Sequence, residues 1–493
     1  MKDKLFHSIT KGVVSIGSLR LALLLFNFIS IFILARFLNS VDFGLIGIGL
    51  IAIATVQPFT EIGVTIALIQ KQDDTEGFLD TAWTISIIQG FLVYTLLCLT
   101  TPWLVNLFQT PQIKFLIPTL GLLIPLNSFA NIGIVYFSKE LKFSKYSRYL
   151  FFSYLANFVI TVLMVVILRN FWAIVFGLLA EKIALCCFSY SMHPYRPRFS
   201  IKMVKLKYLL NFGKWVFFSS VLFMLLTQVD NIIVGKFLGV AALGFYQMSF
   251  RISNILPKEI IDIVSKVLFP GFAKLQYNIT QLRGLYLKAL CLILVVTFLF
   301  TGEIIILAPE LIKLFLGVKW IPVVPVLQIF CIFSILRVTL IITHQVFLAI
   351  GKPKIRTNMQ IVQIFLLGIF IYPLFKTWGL TGVALAVTLS ALSSCVVSLR
   401  IVAGILKIRI NELIKLFMLL SMTIVVMGYV LFKIKFWWGY PLGMGKLCCV
   451  SLIGVGIYLL LILAFDLFFD CGIWRLGKDL FKPFYRKLCK KCS

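Results

Sequence analysis

The chain alternates between long apolar stretches and short polar segments. About 14 stretches of roughly 20 residues or more are apolar almost throughout, and each is long enough to cross a bilayer as a helix. None alternates apolar and polar residues with the period of two expected of barrel strands. The predicted spans run over 14–38, 43–69, 82–107, 115–137, 149–168, 171–192, 209–235, 240–268, 286–307, 321–348, 358–375, 379–403, 413–432 and 446–468. The pattern predicts an all-α polytopic membrane protein with about 14 transmembrane helices.

Composition supports this prediction. Of the 493 residues, 61% are hydrophobic and 13% are charged, whereas about 25% of the residues of a soluble domain are charged. At ~20 residues for each span, the spans leave only short loops and tails. A soluble enzyme, a disulfide scaffold and a disordered protein are therefore excluded, and no sizeable domain is expected outside the membrane.

The distribution of basic residues predicts the orientation. Lys and Arg number 47 against 18 Asp and Glu, for a net charge of +29. Since the basic residues outside the spans lie in short loops, we expect anionic membrane lipids, and not nucleic acid, as partners. With a cytoplasmic N-terminus, inside segments hold about 28 basic residues and outside loops about 9, as the positive-inside rule requires. Both termini are therefore predicted to be cytoplasmic.

A short block of sequence repeats at an offset of 200. Residues 35–39 (ARFLN) align with residues 235–239 (GKFLG), and Gly44 aligns with Gly244. Because six spans separate the two blocks, the halves would share one orientation, as in transporters built from parallel repeats. We predict an N-terminal six-helix lobe over 1–200, a C-terminal six-helix lobe over 201–410, two extra transmembrane helices over 411–470 and a basic cytoplasmic tail over 471–493.

Charged residues inside the spans are the candidate functional groups. In the eighth predicted span, Arg251, Lys258 and Asp262 fall within about 40° of each other around the helix. A charge facing lipid at mid-depth costs about 2.5–3.5 kcal/mol, so this stripe is expected to face protein or water. Further polar residues in other predicted spans are Arg20, Glu61, Asp230, Arg337 and His344.

Two interpretations of these residues stay open. Any one of them fits a structural ion pair or an interhelical hydrogen bond, and a lone histidine such as His344 is typical of a satisfied hydrogen-bond donor. Taken together, the basic residues favour a polar cavity with excess positive charge, which would bind an anion. These basic residues are Arg20, Arg251, Lys258 and Arg337.

The sequence contains only weak matches to motifs for catalysis, metal binding or nucleotide binding. Residues 472–478 fit the spacing GxxxxGK, but Asp479 replaces the Ser or Thr of a P-loop. Cys489 and Cys492 lack the second ligand pair of a structural zinc site. The outside loops are too short to supply the catalytic groups of a transferase or hydrolase. We predict a protein that is not an enzyme, holds no metal or other cofactor, and takes its energy from ion gradients, membrane potential or substrate removal, not from ATP.

Several motifs resemble those of the Wzx-like flippases, which move lipid-linked oligosaccharides of the O-antigen and colanic-acid type. The similarity covers about residues 10–405, and its most specific part lies within residues 229–246. The motifs are residues 35–45 (ARFLNSVDFGL), 67–71 (ALIQK), 195–198 (YRPR), 229–239 (VDNIIVGKFLG), 242–246 (ALGFY) and 267–270 (VLFP).

The resemblance implies a fold, a cargo and a location. The fold is that of the multidrug/oligosaccharidyl-lipid/polysaccharide exporter superfamily: two six-helix lobes in a V shape around a central cavity, with alternating access, and two extra C-terminal helices. The cargo would be an undecaprenyl-pyrophosphate-linked oligosaccharide. The implied location is the bacterial inner membrane, and other polysaccharide assembly proteins would be partners.

Within this resemblance, the intramembrane charges acquire hypothetical roles. The four basic residues would hold the pyrophosphate. The acidic residues Glu61, Asp230 and Asp262, together with His344, would pair with these charges or couple transport to H⁺ or Na⁺. A drug or cation antiporter of the same superfamily is the alternative, although its cavity is expected to be acidic. A polysaccharide polymerase is disfavoured because no large outside loop is present.

Overall fold

The structure is a computed structural model, which describes residues 19, 22–60, 76–139, 143–201, 203–255, 257, 259, 268, 271–438 and 443–469. The regular elements in these ranges are all helical, with no strand among them. Ten of these described helices are long and apolar enough to cross a membrane. Two shorter apolar helices, Ala22–Phe37 and Ile113–Ser128, accompany them. The prediction of an all-α, multi-pass membrane protein is confirmed.

The chain divides into two compact units, Met1–Met248 and Ser249–Ser493. In the first unit, a hydrogen bond from Asn157 Nδ2 to Glu181 Oε2 (2.8 Å) joins helices α7 and α8. The helices from the N-terminus up to the unit boundary are α1 (Ala22–Phe37), α2 (Ser40–Thr60), α3 (Glu76–Phe108), α4 (Ile113–Gly121), α5 (Leu123–Ser128), α6 (Val135–Lys139), α7 (Phe143–Leu168), α8 (Trp172–Met192), α9 (Met203–Phe237) and α10 (Gly239–Ser253). Helix α10 continues across the boundary into the second unit.

The second unit is built around an apolar core in which α11, α12, α14 and α15 bury side chains such as Phe298, Phe347, Leu420 and Tyr458. A π-helical turn and a 3₁₀ turn connect α11 to α12. The helices after α10 are α11 (Ile279–Leu311), α12 (Val323–Ala349), α13 (Pro353–Leu406), α14 (Ile410–Trp438) and α15 (Met444–Phe469).

Helix α13 is two spans joined at a sharp break. Gly379 has φ 54° and ψ −125°, a conformation that glycine adopts without the steric penalty of a Cβ atom. The break falls where the sequence predicts a boundary between the spans 358–375 and 379–403. When α13 counts as two spans and α4 to α6 as one, each predicted span overlaps a described helix.

Helices α2 and α10 cross at two glycines within the first unit. A Cβ atom at Gly44 would lie 1.8 Å from the Val240 carbonyl oxygen, and one at Gly244 would lie 1.8 Å from the Ser40 carbonyl oxygen. Only glycine fits at either position. The two residues that the predicted repeat aligns with each other are therefore in contact. The predicted lobe boundaries at residues 200, 410 and 470 stay predictions.

Candidate functional site

The structure describes half of the predicted site residues. Arg251 lies on α10, Arg337 and His344 lie on α12, and Asp230 lies on α9. The remaining predicted residues, Arg20, Glu61, Lys258 and Asp262, lie outside the described residues.

The C-terminal end of α10 is tied to α12 by two hydrogen bonds. Ser249 Oγ donates to the Val323 carbonyl oxygen (3.2 Å), and Ser334 Oγ donates to the Ser253 carbonyl oxygen (3.1 Å). Because one bond lies on each side of Arg251, the turn that carries this arginine is held against α12.

Arg337 reaches this same turn. Its Nη1 donates to Asn254 Oδ1 over 3.0 Å, and its guanidinium carbon lies 5.8 Å from the centroid of the Phe250 ring. Asn254 follows Arg251 by three residues, so the two lie on one face of α10 and its end. The structure therefore brings two predicted residues, Arg251 and Arg337, to one turn of the bundle. We call Phe250, Arg251, Asn254 and Arg337 the arginine site.

The arginine site keeps its positive charges without acidic partners in the described part of the chain. Both arginine residues are half-buried. Within the described ranges, neither forms an ion pair with a carboxylate. A guanidinium has five N–H donors, and its planar fork matches two oxygens of a phosphate or carboxylate. Chemically, the site is suited to bind a multiply charged oxyanion.

His344 lies seven residues beyond Arg337, on the same face of α12. Its Nε2 is buried and finds no hydrogen-bond partner among the described residues. Arg356, near the start of α13, is close enough to the imidazole for an electrostatic interaction. His344 therefore has Arg356 as a positively charged neighbour, and its predicted role in ion coupling or charge pairing stays a prediction.

Asp230 has a different environment in the first unit. Its buried carboxylate accepts hydrogen bonds from Tyr246 Oη (2.7 Å) and from Asn231 Nδ2 (3.1 Å). Gln247 Nε2 donates in turn to Asn231 Oδ1 (3.5 Å). In the part of the chain that the structure describes, no basic residue forms an ion pair with Asp230. Its described partners are a phenol and an amide, and the predicted pairing with a basic residue stays a prediction.

Sequence reasoning missed two residues of this region. Asn254 is a polar residue within an apolar span, three residues after Arg251, and this spacing was the available signal. Arg356 falls between the predicted spans 321–348 and 358–375, whereas the structure places it half-buried inside α13. Among the described residues, no group of three or more His, Cys, Asp or Glu is arranged to hold a metal ion.

Comparisons with known proteins give a family and a fold. A family model described as "Polysaccharide biosynthesis protein" matches residues 33–325. The lipopolysaccharide biosynthesis protein WzxC of Escherichia coli is 26% identical over 311 residues, which are 62% of this chain and 62% of that protein, less than two thirds of its length. The teichuronic acid biosynthesis protein TuaB of Bacillus subtilis is 25% identical over 76% of this chain and 78% of its own length.

Among solved structures, the lipid II flippase MurJ in an inward closed conformation superposes with a TM-score of 0.73 at 15% identity. The match covers 93% of this chain and 99% of MurJ. An inward-facing multidrug resistance transporter of the MATE family superposes with a TM-score of 0.59 at 14% identity, over 79% of this chain and 98% of its own. These two likenesses establish the fold alone.

Proposed function

Because the chain belongs to the polysaccharide biosynthesis protein family, we propose that it carries a lipid-linked oligosaccharide across the bacterial inner membrane by alternating access. The product would be a surface polysaccharide such as O antigen, exopolysaccharide or capsule, made together with other assembly proteins. The observation that carries the proposal is the arginine site, where Arg337 contacts the turn of α10 that carries Arg251 and neither arginine has an acidic partner in the described ranges. The similarity to WzxC and the MurJ-like fold support it.

The cargo sets the chemical problem that the site would solve. A polyprenyl pyrophosphate has an apolar tail that can stay in lipid and a charged headgroup that cannot enter hydrocarbon without its hydration. Arg251 and Arg337 would replace that hydration with charge-assisted hydrogen bonds to the phosphate oxygens. Arg20 and Lys258 would complete the pyrophosphate site.

The remaining predicted groups would balance or exploit this charge. In the proposal, Glu61, Asp230, Asp262 and His344 offset the basic residues or bind H⁺ or Na⁺ during transport. No bond in the cargo is made or broken, so the protein would act as a transporter without a catalytic residue or cofactor, and ion gradients, membrane potential or cargo removal would drive it.

The topology follows from the same proposal. Two six-helix lobes, over 1–200 and 201–410, would enclose the headgroup, and the extra helices over 411–470 would follow them. Both termini would face the cytoplasm, because this orientation puts about three times as many basic residues inside as outside. The basic tail over 471–493 would then lie against anionic lipids of the inner leaflet.

The proposal is tested by alanine substitutions of single arginines in the native host. We expect Arg251→Ala and Arg337→Ala to abolish surface polysaccharide and to cause lipid-linked precursor to accumulate on the cytoplasmic side, at unchanged protein abundance. Arg283→Ala is the matched control, because Arg283 is an arginine of the same unit whose charge is already paired with Glu412 (2.9 Å). Normal polysaccharide in both arginine-site variants would refute the proposal.

A further inference from the structure

Asn254 links Arg337 to the backbone of α10. Its side chain is 7% exposed. The amide nitrogen Nδ2 donates to the Phe250 carbonyl oxygen (2.9 Å) and to Ser253 Oγ (3.1 Å), while Oδ1 accepts from Arg337 Nη1 (3.0 Å). Both the nitrogen and the oxygen of the side-chain amide therefore form hydrogen bonds.

These contacts allow the Asn254 amide only one orientation. If the amide were rotated by half a turn, Oδ1 would face the Phe250 carbonyl oxygen, and two acceptors would oppose each other. Nδ2 would then face the Arg337 guanidinium, which has donors and no acceptor. The local bonds to Phe250 and Ser253 thus fix Oδ1 toward Arg337.

The partner of Arg337 is a neutral acceptor. An amide oxygen orients the guanidinium without cancelling its charge, whereas a carboxylate at the same place would form an ion pair. The Phe250 ring, 5.8 Å away, is a second uncharged neighbour. The bond to Asn254 occupies one guanidinium N–H, so the others remain available to a ligand.

We propose that Asn254 is a positioning residue: it holds the Arg337 guanidinium in one orientation through a neutral acceptor, so that its full charge faces a phosphate-bearing lipid headgroup. This inference rests on the proposed function and adds to it the residue that prepares the site for its ligand. Asn254 itself does not have to touch the cargo.

The test is a double-mutant cycle on the purified full-length protein, with undecaprenyl pyrophosphate as the probe. The variants are Asn254→Ser, Arg337→Ala and both together. A serine at 254 can still donate to the Phe250 carbonyl oxygen four residues earlier, but its shorter side chain does not reach Arg337, so the local fold is kept while the contact is lost. Thermal melting of each variant checks that it is folded.

We expect Asn254→Ser alone to weaken binding by roughly threefold to tenfold and Arg337→Ala alone to weaken it by roughly tenfold or more. In the Arg337→Ala background, Asn254→Ser should cause no further loss. If Asn254 has a merely structural role, Asn254→Ser should weaken probe binding by the same factor in the wild-type and the Arg337→Ala backgrounds. That result would overturn the inference. Wild-type binding by the Asn254→Ser variant would also overturn it.

A second variant tests the charge argument. Asn254→Asp offers Arg337 a carboxylate of the same size, so we expect it to weaken probe binding by roughly tenfold while the protein stays folded. Thr339→Val is the control and should bind the probe as wild type does. It removes one buried hydrogen bond within α12, from a position about 200° around the helix from Arg337. Unweakened binding by a folded Asn254→Asp protein would contradict the inference.

The outcomes separate this inference from the proposed function. If Arg337→Ala binds the probe normally and supports normal surface polysaccharide, the proposed function fails at this site. If Arg337→Ala loses binding but the losses from the two substitutions are additive, the proposed function stands and only the role of Asn254 fails.

Discussion

Two places in the second unit bury positive charge in opposite ways. Lys435 on α14 contacts Glu310 on α11, with 2.6 Å between Nζ and Oε1, and also donates to the Ile306 carbonyl oxygen (3.0 Å). The Lys435 and Glu310 side chains are 6% and 8% exposed. At the arginine site, by contrast, Arg337 has an amide and an aromatic ring as neighbours. One cation is neutralised, and the other is oriented but left charged.

The difference distinguishes structural charge from charge available to a ligand. An ion pair satisfies a buried cation within the fold and leaves little attraction for a third group. A guanidinium held by neutral partners keeps a desolvation cost that an incoming anion can relieve. If this distinction is correct, substitutions at Lys435 should affect stability, whereas substitutions at the arginine site should affect ligand binding.

The largest effect is expected at the ion pair. Lys435→Ala leaves Glu310 as a buried carboxylate without its counter-ion, so we expect a loss of about 3–5 kcal/mol of stability. Chemical or thermal unfolding of the purified protein in detergent measures it. Lys433→Ala, at a neighbouring lysine that contacts the Tyr429 ring (5.7 Å), serves as a control with a small effect. Similar melting curves for the two variants would mean that the Lys435–Glu310 pair is not structurally important.

A change in stability of intermediate size is expected when the ligand binds. At a concentration of 100 times its Kd, undecaprenyl pyrophosphate should stabilise the folded protein by about 2.7 kcal/mol. This ligand-induced shift should persist when Arg283, outside the site, is replaced by alanine. In Arg337→Ala, where we expect binding to be weaker by roughly tenfold or more, the shift at the same ligand concentration should fall to about 1.4 kcal/mol or less. If the ligand stabilises Arg337→Ala as much as it stabilises wild type, the distinction between the Lys435–Glu310 pair and the arginine site is wrong.

The smallest effect is expected when both members of the ion pair become apolar. Lys435→Met combined with Glu310→Leu removes two buried charges together, and such replacements are often neutral or stabilising. We expect stability within about 1 kcal/mol of wild type and normal surface polysaccharide. If the double variant is as stable as wild type but does not support normal surface polysaccharide, the ion pair has a role in transport.

The spans were predictable because each is a local property of the sequence. A helix in lipid satisfies its own backbone hydrogen bonds, so length and hydropathy are sufficient to locate it. The break at Gly379 was predictable in the same way, since a short polar interruption preceded it. Helix ends were less predictable: Arg356 falls between two predicted spans but lies inside α13.

The site was predictable in its residue types but not in its contacts. Arg251 and Arg337 were identified because an arginine in an apolar span is costly wherever it faces lipid. The approach of Arg337 to the turn that carries Arg251 depends on the packing of two helices, and the Arg337–Asn254 bond joins residues 83 positions apart. The Lys435–Glu310 pair was missed for the same reason, since it joins side chains of α14 and α11, whereas the basic residue nearest to Glu310 in the sequence is Lys313.

The crossing of α2 and α10 has a consequence for how this sequence can change. Each helix presents a carbonyl oxygen to the glycine of the other, Ser40 to Gly244 and Val240 to Gly44, at 1.8 Å from the place a Cβ atom would occupy. One added methyl group on either helix would collide with the carbonyl oxygen of the other, so the two backbones would have to move apart. A change at one glycine gives no room to the other, so neither position can compensate for the other. As long as this interface is retained, both positions have to remain glycine together.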